Sequence, residues 1–139
     1  MTEINRIKQV IVMRKDLKMR RGKEIAQGAH ASMKFLAHKV QNVWDHKVQS
    51  MAGEHFPLFL TDVEEDWLLN RFAKICLRVE SEEELLDIHK KALEAGLTSC
   101  LVTDSGKTEF GGVPTNTCIA IGPDRAERID AITGELKLY

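Results

Sequence analysis

Long hydrophobic runs are missing from this chain of 139 residues. A membrane-spanning helix needs about 20 consecutive apolar residues, and the apolar stretches here are far shorter. The first residues, Met1 to Asn5, also lack the apolar part of a signal peptide. We therefore expect a cytoplasmic protein without membrane contact. The length of the chain, residues 1–139, fits a single domain with its own core.

Cysteine is scarce, and its placement excludes two further classes of protein. The cysteines Cys76, Cys100 and Cys118 are far apart and lie in apolar segments. This pattern predicts buried, reduced thiols and argues against a disulfide scaffold or a zinc site. Histidine, cysteine and aspartate do not cluster at metal-ligand spacing anywhere in the sequence, so we expect no bound metal.

The chain also lacks a strong net charge, since its formal net charge is −1, but its charged residues are unevenly distributed. Residues 6–24 contain eight cations and two anions, a local charge of +6. Acidic residues gather instead in segments 62–66 and 80–84. Such asymmetry favours a basic face that binds a polyanion. A solvated basic face without a ligand would give the same pattern, and charge alone does not distinguish the two.

The most informative segment, residues 16–31, joins a basic loop to a helix. Lys18, Arg20 and Arg21 come just before Gly22, and a long helix is expected to start at Gly22 or Lys23. The free N–H groups and the dipole of a helix N-terminus attract anions. Basic side chains at this point therefore predict a site for a phosphate.

Segments with the pattern of strands alternate with segments that have the pattern of helices. The predicted strands are 10–13, 73–79, 97–103 and 116–121. The long helix after Gly22 carries an apolar stripe at helical spacing. Its members are Ile25, Ala29, Met33, Leu36, Val40 and Val43.

Three further helices are predicted from their capping residues. Their N-terminal caps are expected at Thr61, Ser81 and Asp124, each with a glutamate three residues later. They should end near Asn70, Ala95 and Gly134, and residues 53–60 should form a loop.

Alternating strands and helices predict an α/β protein with three layers, α/β/α. The link between the third and fourth strands, residues 104–115, is short for a helical crossover. One strand should therefore run antiparallel. The expected result is a mixed four-stranded sheet flanked by helices on both faces.

Two loops are expected to meet at one edge of this sheet, provided that the first and third strands are parallel. Residues 18–23 follow the first strand and residues 103–109 follow the third, and ligands of α/β sheets bind at the carboxyl ends of parallel strands. Simpler roles stay open for the polar residues concerned. Asp104 would also suit a turn cap, Thr108 and Thr117 surface positions, and His30 a solvent-exposed helix position.

Gly106-Lys107-Thr108 has the ending of a P-loop, which would indicate a small-nucleotide-binding protein. The motif requires a glycine five residues before Gly106, where this chain has Leu101. The next element is also predicted to be a strand, whereas a P-loop leads into a helix. Both differences argue against an NTPase.

Several blocks taken together resemble the archaeal and eukaryotic-type (type 2) peptidyl-tRNA hydrolases. They cover nearly the whole chain in order: Asp16-Leu17-Lys18-Met19, Gly22-Lys23, Ala26-Gln27, His30-Ala31, Asp104-Ser105-Gly106-Lys107-Thr108, Ile121-Gly122-Pro123, Ile129-Asp130 and Thr133-Gly134-Glu135-Leu136-Lys137-Leu138. The resemblance implies a homodimeric enzyme without metal or cofactor. Its substrate would be peptidyl-tRNA, whose ester between the peptide and the 3′ ribose it hydrolyses, and the basic face would hold tRNA phosphates.

The resemblance also implies roles for individual residues. Its catalytic positions fall on Lys23, Asp104, Thr108 and Thr117. Asp104 would orient or polarise the attacking water, Lys23 would face the oxyanion or the terminal phosphate, and the threonines would position water or the ester. The residues expected to bind substrate are Lys18, Arg20, Arg21, Gln27, His30 and Lys107.

The chain departs from the family pattern in three places. Arg20-Arg21 stand where the family usually has Gly-Lys, and Glu109 stands where it usually has Gln. A carboxylate at position 109 is expected to repel phosphate or to change the pKa of Asp104. Residues 38–66 are longer than the family norm and form a predicted insertion, which would be a lid, a partner surface or a longer connection. It contains His46, His55, Phe56, Pro57 and Phe59.

Glu109 and the acidic insertion leave one alternative function open. A catalytically inactive domain of the same fold would bind tRNA or a protein without releasing a product.

Overall fold

The regular elements of the chain follow the predicted order. The computed structural model describes residues 6–46 and 57–139. Within these ranges the strands are β1 (Ile7–Arg14), β2 (Lys74–Val79), β3 (Ser99–Asp104) and β4 (Thr115–Arg125). The helices are α1 (Arg21–His46), α2 (Asp62–Leu69), α3 (Glu82–Glu94) and α4 (Ala126–Thr133).

The predicted insertion at 38–66 is only partly covered by these ranges. Residues 47–56, among them His55 and Phe56, lie outside the described residues. Helix α1 occupies the first part of the insertion, and residues 57–61 lead without regular structure into α2, as predicted for a loop.

The sheet is mixed and has the strand order β2-β1-β4-β3. β1 pairs with β2 in parallel, whereas β4 runs antiparallel to both β1 and β3. β1 and β3 therefore point in the same direction, although they are not neighbours. Their carboxyl ends share one edge of the sheet, which confirms the arrangement on which the two-loop prediction depends.

Helices cover both faces of the sheet, so the three-layer prediction is confirmed. α3 and α4 bury one face, where the core contains Val10, Val12, Leu85, Ile119, Ile121 and Ile129. α1 and α2 lie on the other face, where the buried residues include Met13, Ala31, Phe35, Trp67 and Cys118. No helix of the described residues is long and apolar enough to cross a membrane.

Helix α1 turns its apolar stripe away from the sheet, although such a stripe ordinarily faces the core. Ile25 is 67% exposed and Met33 is 63% exposed. The face of α1 that is buried instead carries Gln27, Ala31 and Phe35.

Hydrogen bonds to the sheet explain how polar side chains of α1 lie in this interface. Ser32 Oγ donates to Gln9 Oε1 at 2.6 Å, and Gln9 Nε2 donates back to the Ser32 carbonyl at 3.0 Å. Lys34 Nζ donates to the Leu101 carbonyl at 2.8 Å. Because these polar groups have partners, their burial carries no penalty for lost hydrogen bonds.

Two of the predicted helix caps form. Thr61 Oγ1 accepts from the Glu64 N–H at 3.1 Å, and Glu64 Oε1 accepts from the Thr61 N–H at 2.8 Å, which completes a capping box. Ser81 Oγ accepts from the Glu84 N–H at 3.1 Å. Both contacts satisfy N–H groups that the first turn of a helix leaves unpaired.

The predicted cap at Asp124 is wrong. Strand β4 continues to Arg125, and α4 begins only at Ala126. The Asp124 carboxylate accepts from the Arg125 N–H at 2.7 Å and from the Arg128 guanidinium at 3.0 Å. Asp124 thus stands at the strand–helix junction with a partner in each element, and its position in the sequence resembles that of a cap although it does not cap α4.

All three cysteines are free thiols, as predicted, and two of them are buried. Burial raises the pKa of the Cys118 thiol to about 12. This thiol therefore stays protonated, and its Sγ donates to the Gln27 carbonyl at 3.4 Å.

Candidate active site

Lys23, Asp104 and Thr108 come together at the edge where β1 and β3 end. Lys23 lies in the first turn of α1, and Asp104 is the last residue of β3. Lys23 Nζ donates to Asp104 Oδ1 at 2.9 Å and to Thr108 Oγ1 at 2.6 Å. We call these three residues the lysine cluster. It joins three of the four residues that were predicted as catalytic.

The Asp104 carboxylate is held in its ionised form. Besides the Lys23 bond, its Oδ2 accepts from the Gly106 N–H at 2.9 Å and its Oδ1 from Gln27 Nε2 at 3.3 Å. The hydrogen bond from Lys23 is the main cause that lowers the pKa of Asp104, and it outweighs the burial that would raise this pKa. A carboxylate offers about four lone-pair positions, so one stays available for a further donor such as water.

Thr117 lies beneath the lysine cluster and reaches it through Gln27. Thr117 is fully buried on β4, and its Oγ1 donates to Gln27 Oε1 at 2.5 Å. The amide of Gln27, also buried, then donates from Nε2 to Asp104. Direct contact of Thr117 with water or the ester, as the resemblance implies, has no support in this geometry because the hydroxyl is covered. The structure instead gives a continuous chain of hydrogen bonds from Thr117 to Asp104.

A tight turn at Gly106 fixes where Thr108 lies. The φ of Gly106 is +81°, and a Cβ at this position would lie 2.0 Å from the Val113 carbonyl oxygen. The Gly106 carbonyl accepts from the N–H groups of Phe110 at 3.2 Å and Gly112 at 2.8 Å. Only glycine fits such a close approach of backbone to backbone. The turn leads into β4 and not into a helix, so the P-loop alternative is wrong.

Four of the remaining predicted residues have no hydrogen bond or ion pair with the lysine cluster in the described ranges. Lys18, Arg21 and Lys107 are exposed and, among the described residues, form no ion pair. His30 is exposed as well and lies seven residues beyond Lys23 on α1, about 10 Å along the helix axis. These residues are therefore candidates for substrate contacts at the surface and not members of the cluster.

Glu109 forms an ion pair with Arg20, which bears on one of the two effects expected of it, a change in the pKa of Asp104. Its Oε1 lies 3.2 Å from Arg20 Nε, and its Oε2 accepts from the Arg20 N–H at 3.4 Å. The causes that shift the pKa of Asp104 do not include Glu109. The expectation that Glu109 alters this pKa is therefore wrong.

Two features of the site have no strong signal in the sequence. Phe110 lies with its ring centre 5.8 Å from Lys23 Nζ, a distance at which the ring face attracts a cation. Gln27 was predicted to bind substrate, but its side chain contacts Asp104 and Thr117 instead. A glutamine on the buried side of α1, in register with Lys23 one turn earlier, is the signal that points to it.

The cluster combines an ionised carboxylate, an ammonium group and a hydroxyl at one point. A carboxylate can accept a proton from water, and an ammonium group can stabilise the negative charge that then develops on a carbonyl oxygen. In the described ranges, no group of three or more His, Cys, Asp or Glu residues is placed to hold a metal ion. The arrangement suits hydrolysis of an ester or a related acyl compound.

Comparison with known proteins decides the family. A sequence profile of the family "Peptidyl-tRNA hydrolase PTH2" matches residues 7–139. The chain belongs to the PTH2 family. This confirms the resemblance inferred from the sequence blocks.

Named relatives match nearly the whole of this chain. The peptidyl-tRNA hydrolase of Methanopyrus kandleri is 42% identical over 132 residues, which cover 94% of this chain and 97% of that protein. The peptidyl-tRNA hydrolase of Nanoarchaeum equitans is 43% identical over 133 residues, with coverage of 96% and 99%. The probable peptidyl-tRNA hydrolase 2 of Dictyostelium discoideum is 40% identical over 139 residues, 99% of this chain and 57% of that protein.

A solved structure supports the fold independently. A protein of unknown function from Agrobacterium tumefaciens matches 100% of this chain and 99% of its own chain with a TM-score of 0.57. Its sequence is 14% identical, so it shows a shared fold only.

Proposed function

We propose that this protein hydrolyses the ester bond of peptidyl-tRNA and releases free tRNA and peptide. Membership of the PTH2 family supports this function. The structural observation that supports this function is the lysine cluster, in which Lys23 Nζ contacts both Asp104 and Thr108. The cluster lies where a basic loop leads into α1, which suits a substrate with a phosphate backbone.

In the proposed reaction a water molecule attacks the ester carbonyl carbon. The free lone pair of Asp104 accepts a hydrogen bond from this water and orients it. A new C–O bond forms, the carbonyl oxygen becomes negative, and Lys23 Nζ donates to it. As this bond forms, the Asp104 carboxylate takes the proton that the water loses. The bond to the 3′ oxygen of the ribose then breaks, and Asp104 returns the proton to that oxygen.

Other residues are proposed to support this chemistry. Thr108 holds Lys23 Nζ through its 2.6 Å contact and so aims the ammonium group. Gln27 and Thr117 act as positioning residues for the Asp104 carboxylate. The exposed side chains around the cluster would hold the tRNA backbone, and binding should weaken as salt rises. They are Lys18, Arg21, His30 and Lys107.

The decisive experiment compares Lys23→Ala with Lys107→Ala, which removes the same charge without touching Asp104. Loss of an oxyanion donor typically lowers kcat by about 10²–10³-fold. We expect this loss for Lys23→Ala in the release of free tRNA from N-acetyl-aminoacyl-tRNA. Lys107→Ala should change KM and leave kcat near the wild-type value. Full hydrolysis by Lys23→Ala would contradict the proposal, and binding without release by the wild type would indicate an inactive tRNA-binding domain.

We also propose that the protein is a homodimer and that the apolar face of α1 forms its interface. Ile25, Met33, Val40 and Trp44 are exposed along this face. Depressions of about 530 Å³ and 610 Å³ lie on it and share Met33. A connected apolar surface of this kind is typical of an interaction site.

Sedimentation equilibrium with Met33→Glu tests the dimer. We expect a dimer for the wild type and a monomer for this variant, because a carboxylate would be buried without a partner. The control is Leu93→Glu, which places the same charge at an exposed apolar position of α3. A monomeric wild type, or equal effects of both substitutions, would contradict the proposed interface.

Finally, we propose a single cytoplasmic domain over residues 1–139 in which segment 38–66 acts as a longer connection. Lys39 on α1 contacts Glu64 on α2 at 3.1 Å and the Phe59 carbonyl at 3.0 Å. These contacts attach both ends of the segment to the same layer of the fold, as expected for a connection.

A further inference from the structure

Arg20 and Glu109 connect the two loops that border the lysine cluster. Arg20 directly precedes α1, and Glu109 lies in the link between β3 and β4. The Glu109 carboxylate contacts Arg20 twice, at the guanidinium Nε (3.2 Å) and at the backbone N–H (3.4 Å). The residues lie 89 positions apart in the sequence, so the pair joins segments that no local structure holds together.

The pair is adjacent to the contacts of the lysine cluster. Glu109 follows Thr108 in the link, and Arg20 precedes Lys23 by three residues, close to one helical turn. The two contacts, Lys23 with Thr108 and Arg20 with Glu109, therefore run side by side between the same two segments. The two contacts therefore hold the link between β3 and β4 against the start of α1 at neighbouring positions.

The two side chains of the pair differ in their exposure. The Glu109 side chain is 15% exposed, whereas the Arg20 side chain is 85% exposed. The carboxylate is thus covered and faces the start of α1, where the helix dipole and the Arg20 N–H both attract an anion. The Arg20 side chain is therefore the partner that is more accessible to a polyanion from solvent.

We propose that Arg20 and Glu109 work as one unit in the function proposed above, on which this inference rests. Glu109 is a positioning residue that fixes the link carrying Thr108 against the start of α1. Arg20 neutralises the Glu109 carboxylate, so that the carboxylate does not repel the phosphates of the substrate. Without Arg20 the same carboxylate opposes binding, and without Glu109 the lysine cluster loses its alignment.

The test measures two quantities on one set of variants at fixed salt. Binding is the Kd for deacylated tRNA from fluorescence anisotropy, and catalysis is kcat and KM for N-acetyl-aminoacyl-tRNA. The variants are Arg20→Ala, Glu109→Gln, Glu109→Ala and the double variant Arg20→Ala/Glu109→Gln. Arg21→Ala, alone and with Glu109→Gln, is the matched control, because Arg21 has the same charge and, in the described residues, no ion pair.

Binding should reveal the neutralisation. We expect Arg20→Ala to raise Kd about tenfold, since it removes a cation and uncovers an anion. Adding Glu109→Gln should recover at least a threefold improvement, because glutamine carries no charge. Arg21→Ala should raise Kd by a smaller factor that Glu109→Gln does not recover. Equal recovery in both backgrounds, or none in either, would overturn the proposed neutralisation.

Catalysis should reveal the positioning. Glu109→Ala removes both contacts to Arg20, and we expect kcat to fall about tenfold. Glu109→Gln keeps an acceptor for the Arg20 N–H, so it should retain clearly more activity than Glu109→Ala. Equal kcat values for wild type and Glu109→Ala would overturn the positioning role. If the wild type itself released no tRNA, the proposed function would fail, and the Kd series would still decide whether Arg20 and Glu109 are coupled.

Discussion

The hydrogen-bond chain from Thr117 through Gln27 to Asp104 leads to a sharp prediction for Thr117→Val. Valine has nearly the shape of threonine but cannot donate, so Gln27 Oε1 loses its 2.5 Å partner in buried surroundings. An unsatisfied buried acceptor costs about 1–3 kcal/mol. With an unfolding entropy of about 0.3 kcal/mol per kelvin for a chain of 139 residues, the melting temperature should fall by about 3–10 °C.

The same substitution should slow catalysis, because Gln27 is then free to rotate away from Asp104. The Gln27 contact is the longest of the three that hold this carboxylate, at 3.3 Å against 2.9 Å for the others. We therefore expect a moderate loss, about threefold to tenfold in kcat, corresponding to about 0.7–1.4 kcal/mol. KM should change little, since Thr117 is buried away from the tRNA surface.

Thr117→Ser separates the two effects. Serine keeps the donor but removes a buried methyl group, which costs about 1 kcal/mol. Both variants should melt below the wild type, and only Thr117→Val should lose kcat. Thermal melting at one protein concentration and steady-state release of tRNA from N-acetyl-aminoacyl-tRNA measure these quantities. If Thr117→Val kept the wild-type kcat, or Thr117→Ser lost as much, the hydrogen-bond chain would not position Asp104.

Two further predictions concern Asp104 and the turn that follows it. Because the hydrogen bond from Lys23 lowers the pKa of Asp104 in the folded protein, the pair stabilises the fold above the unfolded pKa of about 3.9. This stabilisation is lost as the pH falls through the lower folded pKa. Urea titrations at several pH values should show that the free energy of unfolding falls below about pH 4. The Asp104→Asn variant should lack this fall. If the variant kept the pH dependence of the wild type, the pairing of Asp104 with Lys23 would be contradicted. Gly106→Ala should lower kcat more than tenfold, because its Cβ would lie 2.0 Å from the Val113 oxygen. The control is Gly111→Ala, whose Cβ meets no atom within 4 Å and which should cost only about 1–2 kcal/mol of stability for its positive φ. Equal losses of kcat in the two variants would show that the close approach at Gly106 is unimportant.

The architecture could be predicted because its signals are local. Capping residues such as Thr61 and Ser81, and the short link 104–115, fix the helix starts and the antiparallel strand without knowledge of tertiary contacts. The junction at Asp124 could not be predicted in this way. Whether an aspartate caps a helix or pairs with Arg128 depends on where the preceding strand stops, and that is decided by pairing with β1.

The orientation of α1 shows why periodicity alone was insufficient. The stripe through Ile25 and Met33 has the spacing of a buried face, but the helix buries Gln27 instead. An apolar stripe predicts that a helix face is buried, but it does not predict whether the sheet of the same chain or another molecule covers that face. Polar residues fit against the sheet only where partners such as Gln9 are present, and such partners come from distant parts of the chain.

The site was predictable to the extent that its residues end strands or begin helices. Lys23 and Asp104 follow from the rule that ligands meet at the carboxyl ends of parallel strands. The pairing of Glu109 with Arg20 does not follow from this rule, because position 109 belongs to an irregular link whose path depends on the turn at Gly106. A charge that looks unfavourable in the sequence is paired once that path is known.

The long sequence separations between the residues of the site affect the order in which parts of the site form during folding. Lys23 and Asp104 are 81 residues apart, and Gln27 and Thr117 are 90 apart. Closing such long loops is entropically costly and tends to come late in folding. The three cations at 18–21, by contrast, lie within four residues of one another and are close together in any conformation of the chain. An incompletely folded molecule would therefore hold tRNA before it is able to cut the ester, so turnover, and not binding, is the proper measure of a correctly folded preparation.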